Sequence, residues 1–547
     1  RVMFKRLLSL FIAFDLVLWL SGCGKEKGLG ADLYFPVPAQ PRSLDPQLAE
    51  APGSIVFANC FEGLVKESED GSVAPGAAQS WEVSADKLTY TFHLRNNVKW
   101  HLMKNHAKVL GEDYKDSFDT RVTAEDFVFA LRRAVSPVTA SPGASALNMI
   151  KNADEISKGT LSEDKLGVQA KDDFTLVITL AFPVESFLRN LYLPVCMPCN
   201  EKFFEATKGQ YGLSDTNIIC NGPFYVSSWS QDSYITMRKN KDYYNPSEVL
   251  PNSVSLRLNP DREKYQRLIQ QGNYSAGLIS FWPEYAPQLS SDTRQIEVQN
   301  EITALCFNAA DKHLKNRNLR IALCMAVDKQ ALGPELEGRE KIDRIIPLAC
   351  LKKEGYGSML TSPGAALGVQ RDKAKELLDK TFYELEIKHL SLTIICPPFY
   401  EKDMRILIQS LQKTFGVDLS VSVETLEPTE LLKRVESGQY QIALAPLRAA
   451  DSEVKNFLQT FTTKHPLNFS GYSSSTYDNM AAMIQTAGTD ADAVQFCLKA
   501  QEELILSGTI IPIFEGAQQL VLGKGVSGIF ASPAGERIYF ANARRVK

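Results

Sequence analysis

Two hydrophobic periods alternate along this chain, and that alternation restricts the fold more than any other feature. The segment Leu88-Thr89-Tyr90-Thr91-Phe92-His93-Leu94 switches polarity at nearly every residue, which puts Tyr90, Phe92 and Leu94 on one face of a strand. Residues 176–180 and 417–423 follow the same rule, the latter with Asp418, Ser420 and Ser422 facing out. Helical spacing interrupts these strands. Thr123-Ala124-Glu125-Asp126 reads as a capping box, and Phe127, Ala130, Leu131, Ala134 and Val135 then recur on one face. Leu319, Ala322, Leu323, Ala326 and Val327 repeat the pattern, and Thr489 opens a third helix through Val494, Cys497 and Leu498. Strands and helices mixed along the whole length predict an α/β architecture rather than a bundle or a sandwich. At 547 residues the chain exceeds what one core organises, which predicts two or three domains.

The N-terminus predicts where the chain goes. Lys5 and Arg6 precede an apolar run over residues 7–20 that is broken only by Ser9 and Asp15. The run is too short to span a bilayer and reads as a signal peptide over residues 1–22. Its end, Leu20-Ser21-Gly22-Cys23, resembles the cleavage box of bacterial lipoproteins, in which the cysteine is acylated before the preceding bond is cut. Cys23 is the expected lipidation site, residues 23–32 a flexible tether, and the periplasm or cell envelope the expected location. An ordinary secretory signal or an uncleaved anchor are the alternatives.

The net charge of -4 and pI near 6.0 disfavour a nucleic-acid partner. Ten cysteines leave nine once Cys23 is lipidated; disulfides are allowed, an odd count leaves at least one thiol unpaired, and no pairing follows from spacing. The chain has no H-E-x-x-H, P-loop or G-x-S-x-G, and its six histidines are scattered, so no catalytic residue, metal or cofactor is expected. Gly523-Lys524-Gly525-Val526-Ser527-Gly528 matches G-x-G-x-x-G, but too few residues follow for the helix, second strand and acid of a dinucleotide site, so it reads as a turn. Cys196-Met197-Pro198-Cys199 has redox spacing, yet Pro194 and Pro198 bracket it in a loop, where a local disulfide or two unpaired thiols fit better.

Several segments in order carry a resemblance. Arg42-Ser43-Leu44-Asp45-Pro46, Asn59-Cys60-Phe61-Glu62-Gly63-Leu64-Val65, Trp81-Glu82, Tyr90 through Arg95, Val98-Lys99-Trp100 and Thr123 through Val128 are similar to successive motifs of the family 5 solute-binding proteins, whose best-known members bind oligopeptides. The match runs on through Asn221-Gly222-Pro223-Phe224-Tyr225, Lys239-Asn240, Tyr243-Tyr244, Phe307-Asn308, Arg320 to Leu323, Ala326-Val327-Asp328, Asn468, Gly471-Tyr472, Tyr477-Asp478 and Ile511-Pro512-Ile513. Taken alone, Trp81, Phe92 and Trp100 are core anchors and Asn221-Gly222-Pro223 is a turn.

The resemblance implies a type II periplasmic-binding-protein fold: two α/β lobes joined by a two-strand hinge, with an extra domain inserted in the first lobe. The first lobe would take residues 33–71, 205–298 and 515–547, the inserted domain 72–204 and the second lobe 299–514. It further implies a monomer that captures oligopeptides and delivers them to an ABC permease, without catalysis. A specialised receptor or chaperone for cell-wall-derived peptides, or for another solute, is the alternative, whereas an exported hydrolase would need a nucleophile and base that are not visible.

A receptor for peptides of many sequences must read the main chain, so contact strands are expected. By similarity these are residues 275–281, with Leu278, Ile279 and Ser280, and residues 443–448, with Leu447 and Arg448. Glu50 falls near the mouth, and Asp451 is the candidate carboxylate for a ligand amine. The chain departs from the family here: peptide binders carry a G-W-x-x-D-Y-like run where this chain reads Pro446-Leu447-Arg448-Ala449-Ala450-Asp451, so without a shift Ala450 takes the place of the aspartate. Pro446 lacks the N–H that ligand pairing would use, as does Pro52 near Glu50, and Arg448 adds a cation. Residues 101–120, another departure, read as a polar surface loop.

Overall fold

The computed structural model describes residues 32–37, 39–49, 53–69, 71–184, 187–258, 267–269, 271–280, 294–332, 341–351, 367–449, 453–465, 467–487, 489–532 and 537–546. Cys23, Glu50, Pro52, Ala450 and Asp451 lie outside them.

The order of strands along the chain already shows how the molecule is divided. Leu33–Val37 (β1) opens a first sheet, and Ala78–Val83 (β2), Thr89–Leu94 (β3), Val168–Asp172 (β4) and Thr175–Thr179 (β5) make a second. Phe224–Ser230 (β6), Tyr234–Lys239 (β7) and Ser253–Leu258 (β8) then return to the first, in the order β1-β8-β7-β6. Ala276–Ser280 (β9), Arg294–Phe307 (β10), Leu390–Cys396 (β11), Leu419–Thr425 (β12), Ile442–Arg448 (β13) and Ile510–Leu522 (β14) build a third, ordered β9-β14-β10-β13-β11-β12. The second sheet is thus an insertion within the first.

Local sequence explains these elements. Along β3 the burial alternates strictly, with Tyr90, Phe92 and Leu94 inside. The helix Ala124–Val135 (α1) starts where Thr123 and Asp126 form a capping box, the Thr123 N–H donating to Asp126 Oδ2 at 2.8 Å. Its buried face is Phe127, Ala130, Leu131, Ala134 and Val135. Arg317–Ala326 (α2) buries Leu319, Ala322, Leu323 and Ala326, and Asp490–Leu506 (α3) is capped by Thr489.

The first two sheets share one continuous core. Phe35 and Leu256 from the first, Phe92 and Leu176 from the second, and Leu520, Leu522 and Phe540 from the end of the chain belong to the same apolar cluster. The third sheet is covered on both faces. Ile302, Ala304 and Cys306 of β10, with Ala443 and Ala445 of β13, enter one core, whereas Leu305 and Phe307, with Ile442 and Leu444, enter another. Period-two alternation that buries both faces is the signature of a sheet sandwiched between helices.

Two expectations need correction. The strand foreseen from residue 417 begins at Leu419, because Gly416 takes a φ of +57° and Gly416–Asp418 forms a tight turn that leaves Val417 89% exposed. Residues 101–120 are not a surface loop throughout: His106, Tyr114 and Phe118 are buried, and His106 packs edge-on against Phe203 with ring centroids 5.4 Å apart. Their irregular spacing fits short turns, which no helical or strand period reveals. The G-x-G-x-x-G segment is a turn, with Gly525 and Gly528 at φ of +72° and +74°.

Candidate functional site

The two long strands β10 and β14 pair antiparallel over their whole length and are the only covalent route between the two halves that the described residues show. Their outer ends reach into different cores: Leu520 and Leu522 join the shared core, and Ile302 and Ile510 join a core of the second half. Midway, between Val298 and Glu301, the register slips in a bulge.

The two expected contact strands converge on that bulge from opposite ends. β9 pairs with β14, placing Leu278 opposite Leu520, Ile279 opposite Gln519 and Ser280 opposite Gln518. β13 pairs with β10, placing Leu447 opposite Ile302 and Arg448 opposite Glu301, itself opposite Gly516. Ser280 and Arg448 therefore finish two residues apart as measured along β14. Leu278 and Leu447 are half-buried.

The ladder fixes which main-chain groups of β13 are spoken for. The Ala449 N–H donates to Asn300 O at 2.9 Å and the Asn308 N–H to Gln441 O at 2.9 Å, so the odd-numbered residues of β13 bond to β10. Even-numbered residues then aim N–H and C=O at the opposite edge, because antiparallel ladders alternate. On that edge β11 meets only Ile442 and Ala443. The main chain beyond Leu444 thus runs on past β11, whose described pairing with β13 ends at Ala443, and Pro446 presents only its carbonyl on that side.

Arg448 has a counter-ion that the sequence did not disclose. Its Nε donates to Glu301 Oε2 at 2.7 Å, a cross-strand pair with the carboxylate 7% exposed and the guanidinium 29%. Replacing Arg448 with leucine removes that cation from a buried carboxylate and is expected to lower stability by about 1–3 kcal/mol, with much of the loss recovered in the Glu301→Gln, Arg448→Leu double variant, as read from urea midpoints. Two further residues were missed. Asn300 is fully buried at the bulge with neither amide atom partnered among the described residues. Arg189, from the inserted segment, reaches Glu453, just past the 450–452 segment, at 3.7 Å. Both depend on long-range register that local patterns do not carry.

Among the described residues no cluster of His, Cys, Asp and Glu could hold a metal ion. The nine described cysteines are buried and none is in a disulfide. Cys196 and Cys199 sit in a short turn rather than capping a helix, and burial pushes both thiols up to about 12, the reverse of what a redox centre needs. No described helix is long and apolar enough to cross a membrane.

Comparison with known proteins agrees with this geometry. The family model for bacterial extracellular solute-binding proteins, family 5 (middle region), matches residues 72–469. Dipeptide-binding protein DppE of Bacillus subtilis is 26% identical over 550 residues, covering 97% of each chain. Haemophilus influenzae OppA in complex with the peptide RPPGFSPFR superposes with a TM-score of 0.77 at 24% identity, covering 94% of this chain and 99% of that one. The murein tripeptide-binding protein MppA of Escherichia coli gives 0.76 at 23% identity over 95% and 99%. The inserted sheet, the paired crossing strands and the two α/β halves are the type II periplasmic-binding-protein fold. The chain belongs to the bacterial extracellular solute-binding proteins of family 5, which are binding proteins for transport rather than enzymes.

Proposed function

We propose that this protein captures oligopeptides outside the cytoplasm, tethered to a membrane by a lipid on Cys23, and hands them to the permease of an ABC importer. The observation that carries the reading is the pair of strand ends, β9 and β13, that meet at the bulge of the crossing strands, where the edge of β13 runs on past its described pairing with β11. A ligand strand laid along that edge would be held by its backbone, which tolerates many side chains. Leu278, Ile279, Ser280, Leu447 and Arg448 are the contacts, and Glu50 and Asp451 complete the site, Asp451 by charge-assisted bonding to a ligand amine. Lobe closure about β10 and β14 would trap the ligand.

Native mass spectrometry of the protein purified from cells, followed by release and sequencing of what accompanies it, tests this. Peptides of mixed sequence are the expected result, and a bound solute with no peptide bond would overturn it.

A second reading, a receptor or chaperone dedicated to cell-wall-derived peptides, draws support from Arg448 and from the likeness to the murein tripeptide-binding protein. Its signature is a single species carrying extra carboxylates, and a binding preference for it over neutral tripeptides. Because Glu301 already offsets the Arg448 charge, such a ligand would compete for that guanidinium rather than find it vacant.

A further inference from the structure

Cys60 and Cys220 lie side by side where two distant passages of the chain meet. Cys60 ends the helix Ser54–Cys60, Cys220 stands just ahead of β6, and the two passages of chain are stitched side by side. The Gly222 N–H donates to Cys60 O at 2.9 Å, while the Asn221 side chain accepts from Glu62 N at 3.0 Å and donates to Glu62 O at 2.9 Å. The fit is close enough that a Cβ on Gly222 would lie 2.6 Å from the Cys60 carbonyl carbon. A third passage is fastened at the same place, the His101 N–H donating to Cys220 O at 2.8 Å.

Inside this junction the two thiols lie beside each other, with Cys60 0% and Cys220 1% exposed. Cys196 and Cys199, far closer in sequence, turn instead to the Asn190 carbonyl and the Arg133 guanidinium. Neighbouring thiols on segments held side by side by fixed backbone bonds meet the first requirement of a disulfide, proximity without movement of the chain.

We propose that Cys60 and Cys220 are the site of a disulfide formed as the chain folds in an oxidising compartment, stapling together the two passages that flank the second sheet. The oxidant is a disulfide, whether of an exported dithiol oxidase or of oxidised glutathione. One cysteine thiolate attacks a sulfur of that disulfide, giving a mixed disulfide and releasing one thiol; the second thiolate then attacks the protein sulfur and releases the other. Two protons and two electrons leave the cysteine pair, and the oxidant is reduced to two thiols. Burial and the neighbouring Cys220 hold the Cys60 thiol far above its ordinary range once the junction has closed, so the exchange belongs to folding, before the pair is sealed from water.

The site of this bond does not depend on what the protein captures; export determines only whether the oxidant is met. The test uses the whole protein, refolded from denaturant in a mixture of reduced and oxidised glutathione, quenched with N-ethylmaleimide, denatured without reductant and digested. The expected result is a peptide joining Cys60 to Cys220, about 2 Da below the sum of its halves. Maleimide on both Cys60 and Cys220, or either of them joined to a different cysteine, would overturn the proposal. Failure to bind peptide leaves this readout untouched.

Discussion

Replacing Arg537 with methionine is expected to remove about 3–5 kcal/mol of stability, because it leaves the Glu67 carboxylate buried without its cation. Glu67 and Arg537 are 1% and 4% exposed, and the guanidinium reaches Glu67 Oε2 from Nη2 at 3.0 Å and from Nε at 3.3 Å. Tyr539 and Ser532 hydroxyls add bonds at 3.1 and 2.8 Å, and the Arg537 guanidinium lies 4.9 Å from the Tyr192 ring centroid. This cluster ties the start of the chain to its last described segment, so the loss should register as a lower urea midpoint for the whole transition rather than as local fraying. The Glu67→Gln, Arg537→Met double variant should recover at least half of it, since the uncompensated charge is gone. A single variant no less stable than the parent would show that the pair contributes nothing.

The second large effect is a pH slope. Burial, followed by nearby His101, depresses His106 from 6.5 to about 4. Between these values the unfolded chain takes up a proton that the folded protein refuses. The contribution of His106 is therefore complete above about pH 6.5 and is lost as pH falls toward 4, amounting to about 2–3 kcal/mol at pH 4.5. Asp126 has the opposite sign. Burial raises it to about 7 against the pull of Thr123, Trp100 and Asn200, so the folded state holds a proton that the unfolded chain releases, and its contribution falls as pH rises from about 4 to 7. The two slopes oppose each other in one window and the parent protein should look nearly flat. His106→Gln should then expose the Asp126 slope, becoming more stable at pH 4.5 than at pH 7 by about 2–3 kcal/mol, read from urea midpoints across the range. An unchanged slope in the variant would place the proton uptake elsewhere.

These two clusters show where sequence reasoning reaches. The strand through Tyr90 and the helix capped by Thr123 were legible because each rests on residues within one or two turns of one another. The family motifs fixed the architecture, since they sample both halves in order. Hidden from the sequence were relations set by register: Glu301 opposite Arg448 is 147 residues away, and Glu67 meets Arg537 across 470. The burial of His106 was invisible for another reason, as its segment alternates with no regular period. Of the expected contact residues, Leu278, Ile279, Ser280, Leu447 and Arg448 fall on strands that end at one bulge, whereas Glu50 and Asp451 lie outside the described residues.

The place of β14 in the sheet bears on how such a chain is made. β14 lies between β9 and β10, joining a strand that ends at Ser280 to one that begins at Arg294, yet it is the last of the long strands to leave the ribosome. Until residue 522 has emerged, β9 has no neighbour in that sheet and the crossing pair does not exist. The early product is two unfinished halves on one thread, with long-range pairing deferred to the end of synthesis, the slow order for folding. That delay suits a polypeptide that must be threaded unfolded through a translocation channel. A nascent chain stopped short of residue 510 should stay open to protease, however well its helices form.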